Sequence, residues 1–138
     1  MGRKLAMQAL YQSSIRSENV ENFLDEFIHH SKVNAAVSSW CKELVEGAWA
    51  QLNKSDELIE QYSIGWSLDR ISAVDLSILR LAFYELEHTD TPYTIVVDEA
   101  IELSKEFSSK ESSGFINGIL GNYVKEHVYR NNKENSKS

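Results

Sequence analysis

Nine of the thirteen residues at positions 74–86 are apolar, and no turn-forming residue interrupts them. The run is too long for an ordinary strand, and its content of Leu, Ala and Glu favours a helix. Because a helix that is apolar around most of its circumference has to be covered on several sides, other helices must pack around it. Ser72 and Asp75 stand three residues apart at its start, where their side chains can satisfy free backbone N–H groups. The pattern predicts a buried central helix over about residues 72–87 in an all-α domain.

Six further helices are predicted from apolar residues spaced three and four positions apart. In the third helix this spacing continues over four turns, through Val37, Trp40, Cys41, Leu44, Val45, Ala48 and Leu52. The six helices cover about residues 3–15, 20–28, 37–52, 55–62, 94–107 and 113–128. The expected N-terminal caps are Ser55 for the fourth helix, Thr91 followed by Pro92 for the sixth, and Ser112 or Ser113 for the seventh.

The composition is that of an ordinary globular domain, with 42% hydrophobic and 25% charged residues. A single Pro and six Gly agree with long helices and short loops. We expect one domain over residues 1–128 and a disordered polar tail over residues 129–138. No apolar run is long enough to cross a membrane, and the single cysteine, Cys41, has no disulfide partner in the chain. A reducing cytoplasm is therefore the expected location.

The formal net charge of −7 is unevenly distributed along the chain. Residues 1–17 carry three bases and no acid, and residues 125–138 carry four bases and two acids, so the body between them carries −12. Basic ends on an acidic body are compatible with a phosphate contact at one edge and a protein partner elsewhere. Solvated helix faces with a polar tail explain the same distribution equally well.

Residue types that support catalysis or metal binding do not form a recognisable pattern. Cys41 belongs to a core stripe, and the four histidines are not paired at ligand spacing on one helix face. There is also no glycine-rich phosphate loop, so we expect neither an enzyme nor a resident metal or cofactor. Three glycines share one face of the seventh helix, where each costs about 1 kcal/mol relative to Ala. Either another backbone packs or a ligand sits directly against that face, and close helix packing inside the domain is the better account. The three residues are Gly114, Gly118 and Gly121.

Several sequence blocks resemble one known family, in the order in which that family has them. They are RKLAMQALY at 3–11, Trp66, Arg70–Ile71, VDLSILRLAFYEL at 74–86, Pro92–Tyr93, DEAIELSK at 98–105 and FINGIL at 115–120. Through these blocks nearly the whole chain is similar to the NusB transcription antitermination factors. The blocks in the central and seventh helices are the most specific.

The resemblance implies an all-α fold of two three-helix subdomains, here about residues 1–65 and 66–128, with a small extra helix. It also implies a function without catalysis. NusB proteins pair with NusE, a small-subunit ribosomal protein, and the pair binds the boxA element of nascent RNA. The complex then helps RNA polymerase to read through terminators, chiefly in ribosomal RNA operons. A similar domain precedes the catalytic domain of some ribosomal RNA methyltransferases, but the missing glycine-rich cofactor loop argues against that interpretation.

The resemblance also implies which residues bind RNA and which bind the partner. Basic residues of the N-terminal arm contact phosphates, and aromatic residues stack on unpaired bases. The candidates for RNA binding are Arg3, Lys4, Tyr11, Phe115, Asn117 and Gly118. The candidates for binding NusE are Tyr62, Asp69, Arg70 and Asp75. An acidic surface at the start of the central helix would suit a basic ribosomal protein.

The N-terminal arm is shorter than the family pattern, because only two residues precede Arg3. Gly114 also stands where some relatives have a basic residue. Each missing cation weakens the part of RNA affinity that is independent of sequence. We therefore expect weak RNA binding without NusE, and an adaptor that binds NusE with little RNA affinity is the alternative. The resemblance leaves monomer and homodimer both open. Arg80 and Glu85 should be ion-paired, either inside the domain or across an interface.

Overall fold

The computed structural model describes the backbone of residues 1–136 and the side chains of residues 1–128. Within residues 1–136 the chain forms seven α-helices, two short 3-10 helices and no strand, which confirms the predicted all-α fold. The α-helices are α1 (Gly2–Arg16), α2 (Leu24–His30), α3 (Ala35–Ala50), α4 (Leu52–Tyr62), α5 (Ala73–His88), α6 (Tyr93–Phe107) and α7 (Lys110–Ser136). The 3-10 helices are Val20–Asn22 and Leu68–Arg70.

Helix α5 is the predicted central helix, and the Ser72 hydroxyl caps it by accepting a hydrogen bond of 3.2 Å from the Asp75 amide. Helices α1, α3, α4, α6 and α7 all pack against α5. As a result Leu79 and Phe83 are completely buried. Helix α5 therefore contacts both the N-terminal and the C-terminal helices of the chain. The subdomain boundary near residue 65 stays a prediction.

Three of the predicted caps were wrong. Helix α4 begins directly after Gln51, without a loop, so Ser55 lies buried inside the helix. Helix α6 begins at Tyr93, which leaves Pro92 in the cap position, one residue later than predicted. Helix α7 begins at Lys110, and the cap is the Ser109 hydroxyl, which accepts a hydrogen bond of 3.1 Å from the Ser112 amide.

The second predicted helix is interrupted. Its first turn is the 3-10 helix Val20–Asn22, which Asn19 caps by accepting a hydrogen bond of 2.9 Å from the Glu21 amide. Phe23 then takes a non-helical backbone conformation before α2 begins. A stripe of apolar residues that matches a single helix therefore does not exclude a break within it.

The predicted disordered tail at 129–138 lies outside the residues whose side chains are described. The backbone of α7 is helical to Ser136, and residues 137–138 are outside the description altogether. Disorder in this segment stays a prediction.

The glycines of α7 are not explained by close packing, contrary to expectation. A Cβ atom added at Gly114, Gly118 or Gly121 would meet no atom within 4 Å. Packing does restrict Gly2 and Gly47, where a Cβ would lie 2.3 Å from the Trp40 ring and 2.1 Å from the Tyr84 ring, respectively. The end of the Tyr84 side chain on α5 lies against Gly47 of α3, in space that a side chain at position 47 would occupy.

We predict opposite effects for alanine at Gly47 and at Gly118. At Gly118 the methyl group enters open space, so the gain in helix propensity should stabilise the protein by up to about 1 kcal/mol. At Gly47 the overpacking cost of about 1–3 kcal/mol should exceed that gain. Urea unfolding followed by circular dichroism measures both variants. Equal stability of Gly47→Ala and Gly118→Ala would contradict the packing at Gly47.

Candidate RNA and partner interface

Arg3 is held in an internal ion pair. Its Nε donates to both carboxylate oxygens of Glu85, at 3.0 and 2.9 Å, and an Nη atom lies 2.8 Å from the same carboxylate. The two side chains are only 15% and 3% exposed, and the guanidinium also covers the Trp40 ring at 4.8 Å. The predicted partner of Glu85 is thus inside the domain. This geometry uses the guanidinium to neutralise a buried acid instead of projecting it towards a ligand.

Lys4 is the more accessible of the two N-terminal cations. Its Nζ lies 2.5 Å from a Glu106 carboxylate oxygen, and the two side chains are 40% and 51% exposed. An exposed ion pair contributes at most about 1 kcal/mol, so Lys4 can exchange its carboxylate partner for a phosphate at little cost. The same Nζ lies 5.4 Å from the centre of the Phe107 ring.

Tyr11 lines an open cavity of about 420 Å³ between α1, α2, α5 and α6. Phe107 lines it too, and Lys4 is a neighbour of the Phe107 ring without itself lining the cavity. Three rings, two amide side chains and a neighbouring cation therefore surround one space, and single-stranded RNA is bound by such stacking surfaces and polar groups. The cavity is lined by Met7, Gln8, Tyr11, Gln12, Phe27, Val74 and Phe107.

Gln8 and Gln12 were not among the predicted site residues. They flank Tyr11 on one face of α1, since positions 8, 11 and 12 are spaced by three and four residues. The sequence could have indicated them, because two polar residues share a helix face with the aromatic Tyr11.

Phe115 does not line the cavity at Tyr11. Phe115 lines a second cavity of about 350 Å³, together with the predicted partner residues Arg70 and Asp75. The Trp66 ring lies 5.7 Å from the Phe115 ring in the same cavity. Its full lining is Trp66, Arg70, Ile71, Ser72, Asp75, Ser108, Glu111, Ser112 and Phe115. We call this space the Asp75 cavity.

The remaining predicted residues are distributed as follows. Asn117 and Gly118 are exposed on α7, and Asp69 is exposed in the 3-10 helix Leu68–Arg70, where it accepts a hydrogen bond from the Ser67 hydroxyl. Tyr62 is 8% exposed and does not line the Asp75 cavity. Its hydroxyl donates to Glu126 at 2.7 Å, and its ring packs edge-on against another tyrosine, Tyr123, at 5.6 Å.

Arg80, whose pairing the sequence left open, also has its partner inside the domain. Its guanidinium donates two hydrogen bonds to Asp56 of α4, at 2.8 and 3.0 Å. Both side chains are mostly buried. Neither Arg80 nor Glu85 therefore needs a second protein to neutralise its charge.

The described part of the chain offers no reactive thiol, no metal site and no membrane-spanning helix. Burial raises the pKa of the Cys41 thiol to about 11, so it stays protonated and unreactive at neutral pH. Among the described residues no three His, Cys, Asp or Glu side chains are grouped as metal ligands, and no helix there has the length and apolar character to cross a membrane.

The sequence profile of the NusB family matches residues 2–125. The chain belongs to the NusB family. It is 46% identical to the transcription antitermination protein NusB of Streptomyces avermitilis over 123 residues, which cover 86% of this chain and 85% of that protein. It is 41% identical to the NusB protein of Acetivibrio thermocellus over 124 residues, covering 89% and 86% of the two chains.

Solved NusB structures have the same fold. T. maritima NusB superposes with a TM-score of 0.82 at 35% sequence identity, covering 91% of this chain and 89% of that one. A chain from a crystal structure of the antitermination factors NusB and NusE in complex with double-stranded RNA gives a TM-score of 0.83 at 26% identity, with 91% of this chain and 94% of that chain covered. NusB proteins are transcription antitermination factors and not enzymes, in agreement with the interpretation of the sequence.

We predict that the two N-terminal cations differ in their effect on stability. Arg3→Ala leaves Glu85 buried without a partner, and such a loss costs about 3–5 kcal/mol. Lys4→Ala removes an exposed pair, whose loss costs at most about 1 kcal/mol. Urea unfolding of the two variants measures the difference, and Glu85→Gln in the Arg3→Ala background should recover part of the loss. Equal stabilities of the two single variants would contradict the internal role of Arg3.

Proposed function

We propose that this chain pairs with NusE, binds boxA RNA and promotes readthrough of terminators, chiefly in ribosomal RNA operons. The observation that carries the RNA part is the cavity at Tyr11, which combines stacking surfaces, amide side chains and the accessible Lys4. The related structure that holds NusB and NusE with double-stranded RNA supports the pairing. The protein acts without catalysis in the cytoplasm, as part of an antitermination complex with RNA polymerase.

The proposed RNA surface is centred on Lys4 and Tyr11 and extends to Phe115, Asn117 and Gly118 of α7. Arg3 contributes mainly by fixing the start of α1, because its charge is neutralised by Glu85. Electrostatic attraction to phosphate is therefore weak in the isolated chain. A basic partner would supply much of the positive charge in the joint RNA site.

The proposed partner surface consists of Asp69, Arg70 and Asp75, at and just before the start of α5. Tyr62 is buried against Tyr123 and Glu126 of α7, so its proposed contribution to partner binding is indirect. The acidic body of the chain, with a charge of −12 between residues 17 and 125, would attract a basic ribosomal protein and accelerate its association.

An adaptor that binds NusE but little RNA is the second candidate. The specific observation in its favour is that both predicted phosphate contacts are already paired, Arg3 with Glu85 and Lys4 with Glu106. The two functions differ in whether the complex selects boxA RNA.

A gel-shift titration separates them, with boxA RNA and a scrambled control, with and without cognate NusE, over a series of salt concentrations. We expect a boxA-selective shift that strengthens with NusE and weakens with salt. Equal binding of both RNAs, or no binding in the presence of NusE, would support the adaptor. Light scattering of the free chain at the same concentrations determines whether it is a monomer or a homodimer.

We predict that Tyr11→Ala weakens boxA binding by about 1–3 kcal/mol, the range for losing one stacked base. Tyr11→Phe keeps the ring and should bind nearly as the unmodified chain does. Tyr93→Ala is the matched control, because Tyr93 is an exposed tyrosine of α6 that does not line the Tyr11 cavity. Thermal unfolding by circular dichroism checks that each variant is folded. An equal loss of RNA binding in Tyr93→Ala and Tyr11→Ala would contradict a stacking role for Tyr11.

A further inference from the structure

A carboxylate already occupies the cation that the proposed RNA site needs. Lys4 Nζ lies 2.5 Å from a Glu106 oxygen, in a pair that joins the first turn of α1 to the last turn of α6. The other N-terminal cation, Arg3, is bound to the buried Glu85. Phosphate binding at this end of α1 therefore depends on Lys4, whose charge Glu106 offsets.

The pair stands beside the Tyr11 cavity. Phe107, the residue after Glu106, lines that cavity, and Lys4 Nζ lies 5.4 Å from the centre of the Phe107 ring. Glu106 does not line the cavity itself. The carboxylate is thus placed next to the stacking surface without covering it, and it contacts the cation and not the rings.

Folding gives little reason for this pair. A helix dipole is positive at the N-terminus and negative at the C-terminus, so a lysine in the first turn of α1 and a glutamate in the last turn of α6 both stand at the unfavourable end. An exposed ion pair also contributes little to stability. The two charges are therefore better explained by an effect on ligand binding.

Glu106 and an RNA phosphate compete for one positive charge. The ammonium group of Lys4 has three N–H donors but a single charge. If both anions stayed on it, two negative groups would lie side by side and repel each other. The side chains of Lys4 and Glu106 are 40% and 51% exposed, so the carboxylate is already in contact with water and can leave.

We propose that Glu106 is an internal competitor of the RNA phosphate for Lys4. In the free chain the carboxylate takes the place of the phosphate, and when RNA binds, Lys4 Nζ turns to the phosphate and releases Glu106 to water. Glu106 thereby lowers the affinity for every RNA, because a phosphate contact carries no sequence information. This inference rests on the proposed RNA binding and adds to it the residue that limits its strength.

Glu102 provides a matched control on the same helix. It stands four residues before Glu106, about 6 Å along the axis of α6. It is exposed too, and it pairs with Lys105 at 3.5 Å. Glu102→Gln therefore removes the same charge from the same region and leaves the pair of Lys4 and Glu106 intact.

Fluorescence anisotropy titrations of boxA RNA and a scrambled RNA test the proposal, with the full chain alone and with cognate NusE. Glu106→Gln should strengthen the binding of both RNAs about two- to fivefold, the range for an exposed ion pair. The slope of log K against log salt should steepen by up to about 0.7, the value for one more phosphate neutralised on a single strand. Glu102→Gln should change the affinity by less than about 1.5-fold, because screening acts within about 8 Å at physiological ionic strength.

A double-mutant cycle with Lys4→Ala separates competition from general repulsion. Without Lys4 there is no cation to release, so Glu106→Gln should have the same small effect as Glu102→Gln. An equal gain from Glu106→Gln with and without Lys4 would mean that the carboxylate simply repels RNA, and it would overturn the proposal. Thermal unfolding by circular dichroism checks that each variant is folded.

The outcomes also distinguish this inference from the proposed function. RNA binding with the same affinity in Glu106→Gln and in the unmodified chain overturns the competition and leaves the RNA function intact. Binding by Glu106→Gln but not by the unmodified chain supports the competition and favours the adaptor as the function of the unmodified chain. No RNA binding by any variant in the presence of NusE overturns the RNA function and the competition together.

Discussion

Helix α5 is buried on most sides and yet carries charged residues at positions 75, 80 and 85. Burying a charge is costly unless it is paired or hydrogen-bonded. Each of the three has its partner on a different helix: Asp75 bonds Ser112 of α7, Arg80 bonds Asp56 of α4, and Glu85 bonds Arg3 of α1. We interpret these contacts as fixing which helix covers which side of α5, since apolar packing alone is not directional.

These contacts limit what the same residues can do at the surface. Arg3 satisfies Glu85 so fully that Lys4 is the N-terminal cation left accessible to a ligand. Asp75 is satisfied at one oxygen only, which leaves the opposite end of α5 with an unmet hydrogen bond. The Tyr11 cavity and the Asp75 cavity thus both lie near the N-terminal end of α5, because Val74 lines the first and Asp75 the second. In both places a contact needed for folding decides what remains available for binding.

Local patterns in the sequence were sufficient to predict most of the helices but not the contacts between them. The apolar run at 74–86 and the Ser72 cap predicted α5, because both depend on residues within a few positions of each other. The Arg3–Glu85 pair joins residues 82 positions apart, and nothing local distinguishes it from a pair across an interface. The same limit applies to Phe115, which the resemblance assigned to RNA but whose neighbours in space are Arg70 and Asp75. The wrong caps have a different cause: serines are common near these helix starts, and the backbone geometry decides which one is used.

Packing inside the domain does not explain the glycines on the exposed face of α7. Ile116, Leu120 and Tyr123 hold one side of the helix in the core, while Gly114, Gly118 and Gly121 meet open space on the other. Each glycine weakens the helix by about 1 kcal/mol relative to Ala, and no contact within residues 1–128 requires its small size. A helix face without side chains does allow a ligand to approach the backbone closely. In the proposed function that ligand is RNA at Asn117 and Gly118, which would account for glycines that folding does not require.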